Sequence, residues 1–157
     1  MIVNKKFKWI IITLALLTIA SVITVAIRHR QRENIVMEII IFPGGGGSAY
    51  RFIIRNDRTL ISHFGNTWEQ RGMITRGNII RFVRQRSRTT LSEEDFHTIV
   101  EMADFVTENY CCGDGHVFST WNPYLIYNDL TFGNFNVSGT LHNLSLKVYS
   151  LSPLSNR

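Results

Sequence analysis

Residues 35–64 read IVMEIIIFPGGGGSAYRFIIRNDRTLISHF. Three runs rich in β-branched and aromatic residues are separated by two breaks. The first run, residues 35–42, stops at Pro43, which cannot donate to a strand ladder. The second and third flank a polar Asn-Asp-Arg turn, so they predict a β-hairpin. Tyr50, Phe52 and Ile54 alternate with Arg51, Ile53 and Arg55, which is the period of a strand with two different faces. The break PGGGGS has the composition of a flexible linker, but strong strands stand on both sides of it. It reads as a loop within one domain. No Lys-Ser/Thr pair and no helix start follow it, so neither phosphate-loop pattern applies.

Moving toward the C-terminus, residues 65–78 are turn-rich, with a possible short strand near 73–75. Residues 79–88, IIRFVRQRSR, alternate and predict a fourth strand. Arg71, Arg76, Arg81, Arg84, Arg86 and Arg88 cluster here, with only Glu69 nearby. One reading is a solvated sheet edge protected by charge. The other is a surface for an anionic partner.

Residues 93–109 predict a long helix. Ser92 is a good N-cap, and Leu91 and Phe96 have the spacing of a hydrophobic staple. Glu93, Glu94 and Asp95 fill the first turn, where the helix dipole favours anions. Phe96, Ile99, Val100, Ala103, Val106 and Tyr110 recur every three or four residues and form a core stripe. Glu94, Glu101, Asp104 and Glu108 face outward.

Next comes NYCCGDGH, residues 109–116, with the only two cysteines of the chain. Gly113 and Asp114-Gly115 suit a helix stop followed by a turn. Cys111, Cys112, Asp114 and His116 could form a redox or metal-responsive site. Adjacent cysteines form a strained disulfide, because their Cα atoms lie only about 3.8 Å apart. A structural zinc site wants two separated ligand pairs, and no second Cys-x-x-Cys exists. Residues 122–129 and 130–139, NPYLIYND and LTFGNFNVSG, predict a second hairpin about Asn128-Asp129. Trp121, Tyr124, Tyr127, Phe132 and Phe135 give it an aromatic character suited to core packing or to a contact surface. Residues 141–152, LHNLSLKVYSLS, are read as a final strand, although Leu141, Leu144 and Val148 would also suit a helix. The Asn-x-Ser triplets at Asn136 and Asn143 are glycosylation acceptors only in a eukaryotic secretory setting.

The N-terminus is of another kind. Residues 9–27 form 19 uncharged, mostly apolar residues. At about 1.5 Å per residue, a helix of that length nearly matches a hydrocarbon core of about 30 Å. Lysines 5, 6 and 8 precede it, arginines 28, 30 and 32 follow it, and Trp9 stands at the boundary. A cleaved signal peptide is the competing reading, but its apolar region would be shorter. Charge flanks both ends, so the positive-inside rule nearly cancels. The short tail before the run resembles a signal anchor, with the larger domain translocated.

The expected organisation is a basic tail (1–8), a transmembrane helix (9–27), a basic linker (28–34) and one domain (35–157). The domain's fold class is α+β: a mostly antiparallel sheet with one long amphipathic helix packed on it. The formal net charge is +5. Residues 34–157 hold eleven Lys/Arg and eleven Asp/Glu. The basic pI therefore reports the membrane flanks, and nucleic acid is not an expected partner. No nucleophile elbow, HExxH or EF-hand loop occurs, so no catalytic residue and no cofactor are expected.

The expected function is a membrane-anchored, extracytoplasmic, non-catalytic binding domain. Its partners would be the bilayer, through residues 9–27, and a protein or anionic ligand at a surface drawn from Arg76, Arg81, Arg84, Arg86, Trp121, Tyr124 and Tyr127. The alternative is an extracytoplasmic redox- or metal-responsive domain using the Cys111-Cys112 turn.

Overall fold

The computed structural model describes residues 9, 12–24, 34–44, 47–67, 79–109, 116–117, 121–133 and 137–155. The chain divides into two compact units, Met1–Asn34 and Ile35–Arg157. The first unit contains helix α1, residues 12–24, with its apolar side chains exposed. Its hydroxyls are satisfied within the helix: Thr13 Oγ1 donates to the Trp9 carbonyl (2.9 Å) and Thr24 Oγ1 to that of Ala20 (2.7 Å). Among the described residues no helix is long and apolar enough to cross a membrane. The expected span of 9–27 includes residues 10, 11 and 25–27, which lie outside the described residues.

The second unit is α+β. Its strands are β1 (Ile35–Pro43), β2 (Ser48–Arg55), β3 (Thr59–Thr67), β4 (Ile80–Thr90), β5 (His116–Val117), β6 (Trp121–Tyr127), β7 (Leu130–Phe132) and β8 (Val137–Ser138). Its helices are α2 (Glu93–Asn109) and α3 (Gly139–Leu151). Six strands form an antiparallel sheet in the order β4-β3-β2-β1-β6-β7, and β5 pairs with β8.

Both expected hairpins form, and each turn has a physical cause. At Asn56-Asp57-Arg58 the Arg58 amide donates to the Arg55 carbonyl (2.9 Å), and the Thr59 amide to Asp57 Oδ1 (3.1 Å). Arg58 takes a left-handed φ of 61°, as the third residue of a three-residue turn does. Asn128 and Asp129 have φ of 49° and 62°, the signature of a two-residue primed turn that Asn and Asp tolerate.

Helix α2 starts as its sequence dictates. The Asp95 amide donates to Ser92 Oγ (3.0 Å), and the Ser92 hydroxyl donates to Asp95 Oδ2 (2.7 Å). Ile99, Ala103 and Val106 are buried, and Glu94, Glu101, Asp104 and Glu108 are exposed. Leu91 and Phe96 join the same apolar cluster at the helix entry.

Residues 139–151 overturn the expected final strand, so the domain carries two packed helices rather than one. Leu141, Leu144 and Val148 are fully buried, while Leu146 is 41% exposed. That is a helical stripe, since a strand would put Leu144, Leu146 and Val148 on one face. The segment 130–139, read as one strand, is also interrupted. Gly133 has φ +127°, and a Cβ there would meet the Pro123 carbonyl oxygen at 2.7 Å.

The core lies between one sheet face and the two helices. Met37, Ile39 and Ile41 of β1, Phe52 and Ile54 of β2, Leu60 of β3 and Leu125 and Tyr127 of β6 meet Ile99, Ala103, Val106, Leu141, Leu144 and Val148. Lys147 Nζ reaches Asp95 Oδ1 (2.7 Å) and ties α3 to the start of α2. Ser62 is a fully buried polar residue on the core face, and its Oγ accepts a hydrogen bond from Ser152 Oγ (2.8 Å). That bond satisfies both hydroxyls and fastens the turn after α3 to the sheet.

Candidate functional site

Strand β4 ends the sheet on one side, and eleven residues long it is the larger of the two edges. Arg81, Phe82, Val83, Arg84, Arg86 and Arg88 are all exposed along it. Its pairing with β3 shifts twice. Phe64 faces Gln85 but Gly65 faces Val83, and Asn66 faces Phe82 but Thr67 faces Ile80. The residues left over are Arg84 and Arg81, so two of the expected arginines sit on bulges. Bulges re-aim side chains and blunt an edge against further pairing. Gly65 permits the first shift: a Cβ there would fall on the Phe82 carbonyl oxygen. The Arg81 guanidinium carbon lies 5.1 Å from the Phe82 ring centroid.

The strand register then builds the sheet face opposite the helices. Ile40, Arg51, His63 and Arg86 stand directly opposite one another across β1, β2, β3 and β4. In the next row stand Glu38, Ile53, Ile61 and Arg88. Toward β1 and β6 this face is apolar, with Ile40, Ala49, Ile79 and Ile126 clustered beside Phe42, Ile80 and Tyr124. Toward β3 and β4 it becomes cationic.

Glu38 sits at the boundary. It is 1% exposed and flanked across the sheet by Ile53 and Ile126. Arg51 reaches it from the diagonal position, donating from Nε (2.9 Å) and Nη2 (2.7 Å) to Oε2. A buried carboxylate without such a partner would be strongly unfavourable, so Glu38 fixes where Arg51 points. His63 lies between Arg51 and Arg86 and is half-buried. Burial first, then the charges of Arg86 and Arg51, push its imidazole down to about 4 from the ordinary 6.5. It is neutral at physiological pH, an imidazole with one N–H to donate. Arg88 Nη2 lies 3.5 Å from Thr59 Oγ1. Asp57 in the neighbouring turn partly offsets Arg55 and Arg88. Among the described residues Arg84 and Arg86 make no ion pair with a carboxylate.

The residues singled out from sequence fall into three groups. Arg81, Arg84 and Arg86 come together on β4. Tyr127 belongs to the core: it is 7% exposed, and its hydroxyl donates to Asp104 Oδ1 (2.7 Å). Burial and the Asp104 carboxylate raise that phenol to about 12, so it stays a donor. It is withdrawn from the contact surface. Tyr124 is half-buried on the other face, edge-on to Phe42 with centroids 5.7 Å apart. Trp121 begins β6 opposite Pro43, and His116 pairs with Ser138 in the small sheet. Arg76, Cys111, Cys112 and Asp114 lie outside the described residues, as does the possible strand near 73–75. Among the described residues no group of three or more His, Cys, Asp or Glu is placed to hold a metal ion.

Sequence reasoning missed Glu38, Arg51, His63 and Arg88 as a group. The signal was the alternation of Arg51 and Arg55 with apolar residues, which put arginines on the face away from the core. Comparison with protein-family models, curated proteins and solved structures finds no match to this chain.

Proposed function

We propose that the chain is a membrane-anchored, non-catalytic binding domain that meets an anionic partner through strand β4. The observation behind this reading is the edge position of β4 combined with the exposure of Arg81, Arg84, Arg86 and Arg88. An edge needs few charges to resist pairing, and two of these arginines occupy bulges that already serve that purpose. Four exposed guanidiniums on one strand raise the local concentration of anions and give planar, bidentate donors for carboxylate or phosphate groups.

The membrane part rests on the apolar run 9–27 and its basic flanks. On this reading the bilayer is one partner, and the short tail before the apolar run supports a larger domain outside the cytoplasm.

Charge reversal of Arg81, Arg84 and Arg86 in the detergent-solubilised chain tests the surface. Salt-sensitive retention on immobilised polyglutamate is expected for the native chain and lost in the variant. Equal retention of both would remove β4 as the contact. Added protease should degrade the domain on intact cells, whereas protection until lysis would place it inside.

A further inference from the structure

We infer that Arg51, His63 and Arg86 form a site for a phosphoryl oxyanion on the sheet face opposite the helices. The inference rests on the reading of β4 as an anion-contact strand and gives that contact a chemical class.

The geometry comes first. The three residues are successive members of one cross-strand row, on β2, β3 and β4. Adjacent strands lie about 4.8 Å apart, so the two arginines flank the imidazole at about one strand spacing each. The two arginines themselves are two strand spacings apart, so each acts chiefly on the imidazole between them. Glu38 pairs with Arg51, and among the described residues no carboxylate pairs with Arg86. Glu38 also holds Arg51 through Nε and Nη2, which fixes the plane of the guanidinium and leaves Nη1 for another acceptor. Arg86 is exposed and His63 half-buried. The row therefore runs from an anchored arginine at the margin of an apolar patch to an open arginine at the sheet edge. A tetrahedral oxyanion matches this set. It can accept from Arg51 Nη1, from the His63 ring N–H and from the Arg86 fork, three donors carried at one register position by three adjacent strands.

Charge complementarity decides for an anion, and the imidazole adds a second property. The cations that act on His63 are Arg51 from β2 and Arg86 from β4, with Glu38 of β1 behind Arg51. An anion seated between them opposes their repulsion of the imidazolium. Binding then raises the proton affinity of His63, and a protonated ring offers both N–H groups as donors.

The test uses the full chain in neutral detergent micelles and follows the His63 ring nitrogens by NMR. One arm adds inorganic phosphate or sulfate, and the other dopes the micelles with phosphatidylglycerol. Shifts of the His63 ring and a raised imidazole pKa are expected in the arm that carries the natural source. A response to free phosphate assigns the group to a soluble ligand, and a response to the doped micelles alone assigns it to a lipid. With sulfate, whose charge is constant, affinity should rise as pH falls from about 7 to about 5, by at most about tenfold per unit.

Arg86→Gln should weaken binding about tenfold, because one charge-assisted pair is removed. Arg58→Gln, which removes a positive charge outside the row, should change it less than about twofold. Silence of His63 in both arms overturns the proposal, as does equal weakening by the two substitutions, which would mean diffuse attraction. Arg86 is exposed on an edge strand, so its variant stays interpretable even where a His63 variant does not fold. If polyglutamate is still retained by β4 while His63 stays silent, the wider reading survives and this site falls.

Discussion

Glu38 carries the most stringent single-residue demand in the domain. It is flanked across the sheet by isoleucines and depends on one guanidinium that is itself largely covered. Removing only the carboxylate strands Arg51 at the edge of the apolar patch. Glu38→Ala should therefore destabilise by about 3 kcal/mol in denaturant titration. Replacing both partners by methionine should recover most of that loss, because neither charge then has to leave water. If the double substitution is as damaging as the single one, the pair is contributing more than mutual compensation. Neither residue stood out in the sequence. Glu38 is a single polar position in the apolar run 35–42, and Arg51 is one of several residues alternating with apolar ones. Their meeting depends on a diagonal contact set by the β1–β2 register, which follows from a glycine loop whose length does not announce its geometry.

At the scale of elements, α2 and α3 were unequally legible for a clear reason. Helix α2 states its start three times, through Ser92, the acidic first turn and the Leu91–Phe96 spacing. Helix α3 begins at Gly139-Thr140 with no acidic residue in its first turn. Its Val148 and Tyr149 favour strands, and its serines allow either form. Only Leu141, Leu144 and Val148 carried the helical period, and burial against the sheet settled it. Leu144→Ala and Leu146→Ala distinguish the two conformations. In the helix the first should cost about 3 kcal/mol and the second less than about 1, measured by guanidinium unfolding. A strand would make the two losses similar. The arginine row failed for a related reason. Its β2–β3 half was accessible from the Asn-Asp-Arg turn. The β3–β4 half needed two bulges, one licensed by Gly65, and no local rule counts bulges in advance.

For the whole molecule, the same histidine shapes the response to acid. His63 in the folded domain resists protonation until about pH 4, whereas an unfolded chain takes up that proton near 6.5. The unfolded state therefore binds more protons between these values. His63 contributes no acid sensitivity above about pH 6.5, and stability should fall as pH drops from there toward about 4. Asp95 and Asp57 act lower. Hydrogen bonds from Lys147 and Ser92, and from Thr59, hold their carboxyls below the usual range. Their support persists above the ordinary carboxylate value and is lost only below it. Urea midpoints across this range should show a decline in two stages, with the upper stage reduced in His63→Gln. An unchanged upper stage would mean that the loss arises elsewhere.

The bond between Ser62 and Ser152 has a consequence for the time at which the domain becomes whole. Strands β1 to β4 leave the ribosome in succession and can pair as they appear, since each neighbours the next in the sheet. Their core face stays only partly covered until α3 arrives, because α2 brings Ile99, Ala103 and Val106 but Leu141, Leu144 and Val148 are made later. At about 5–20 residues per second, the nascent sheet displays Phe52, Ile54 and Leu60 for several seconds before its lid exists. During that interval it is a ready substrate for chaperones. A translational pause placed before codon 139 would prolong that window.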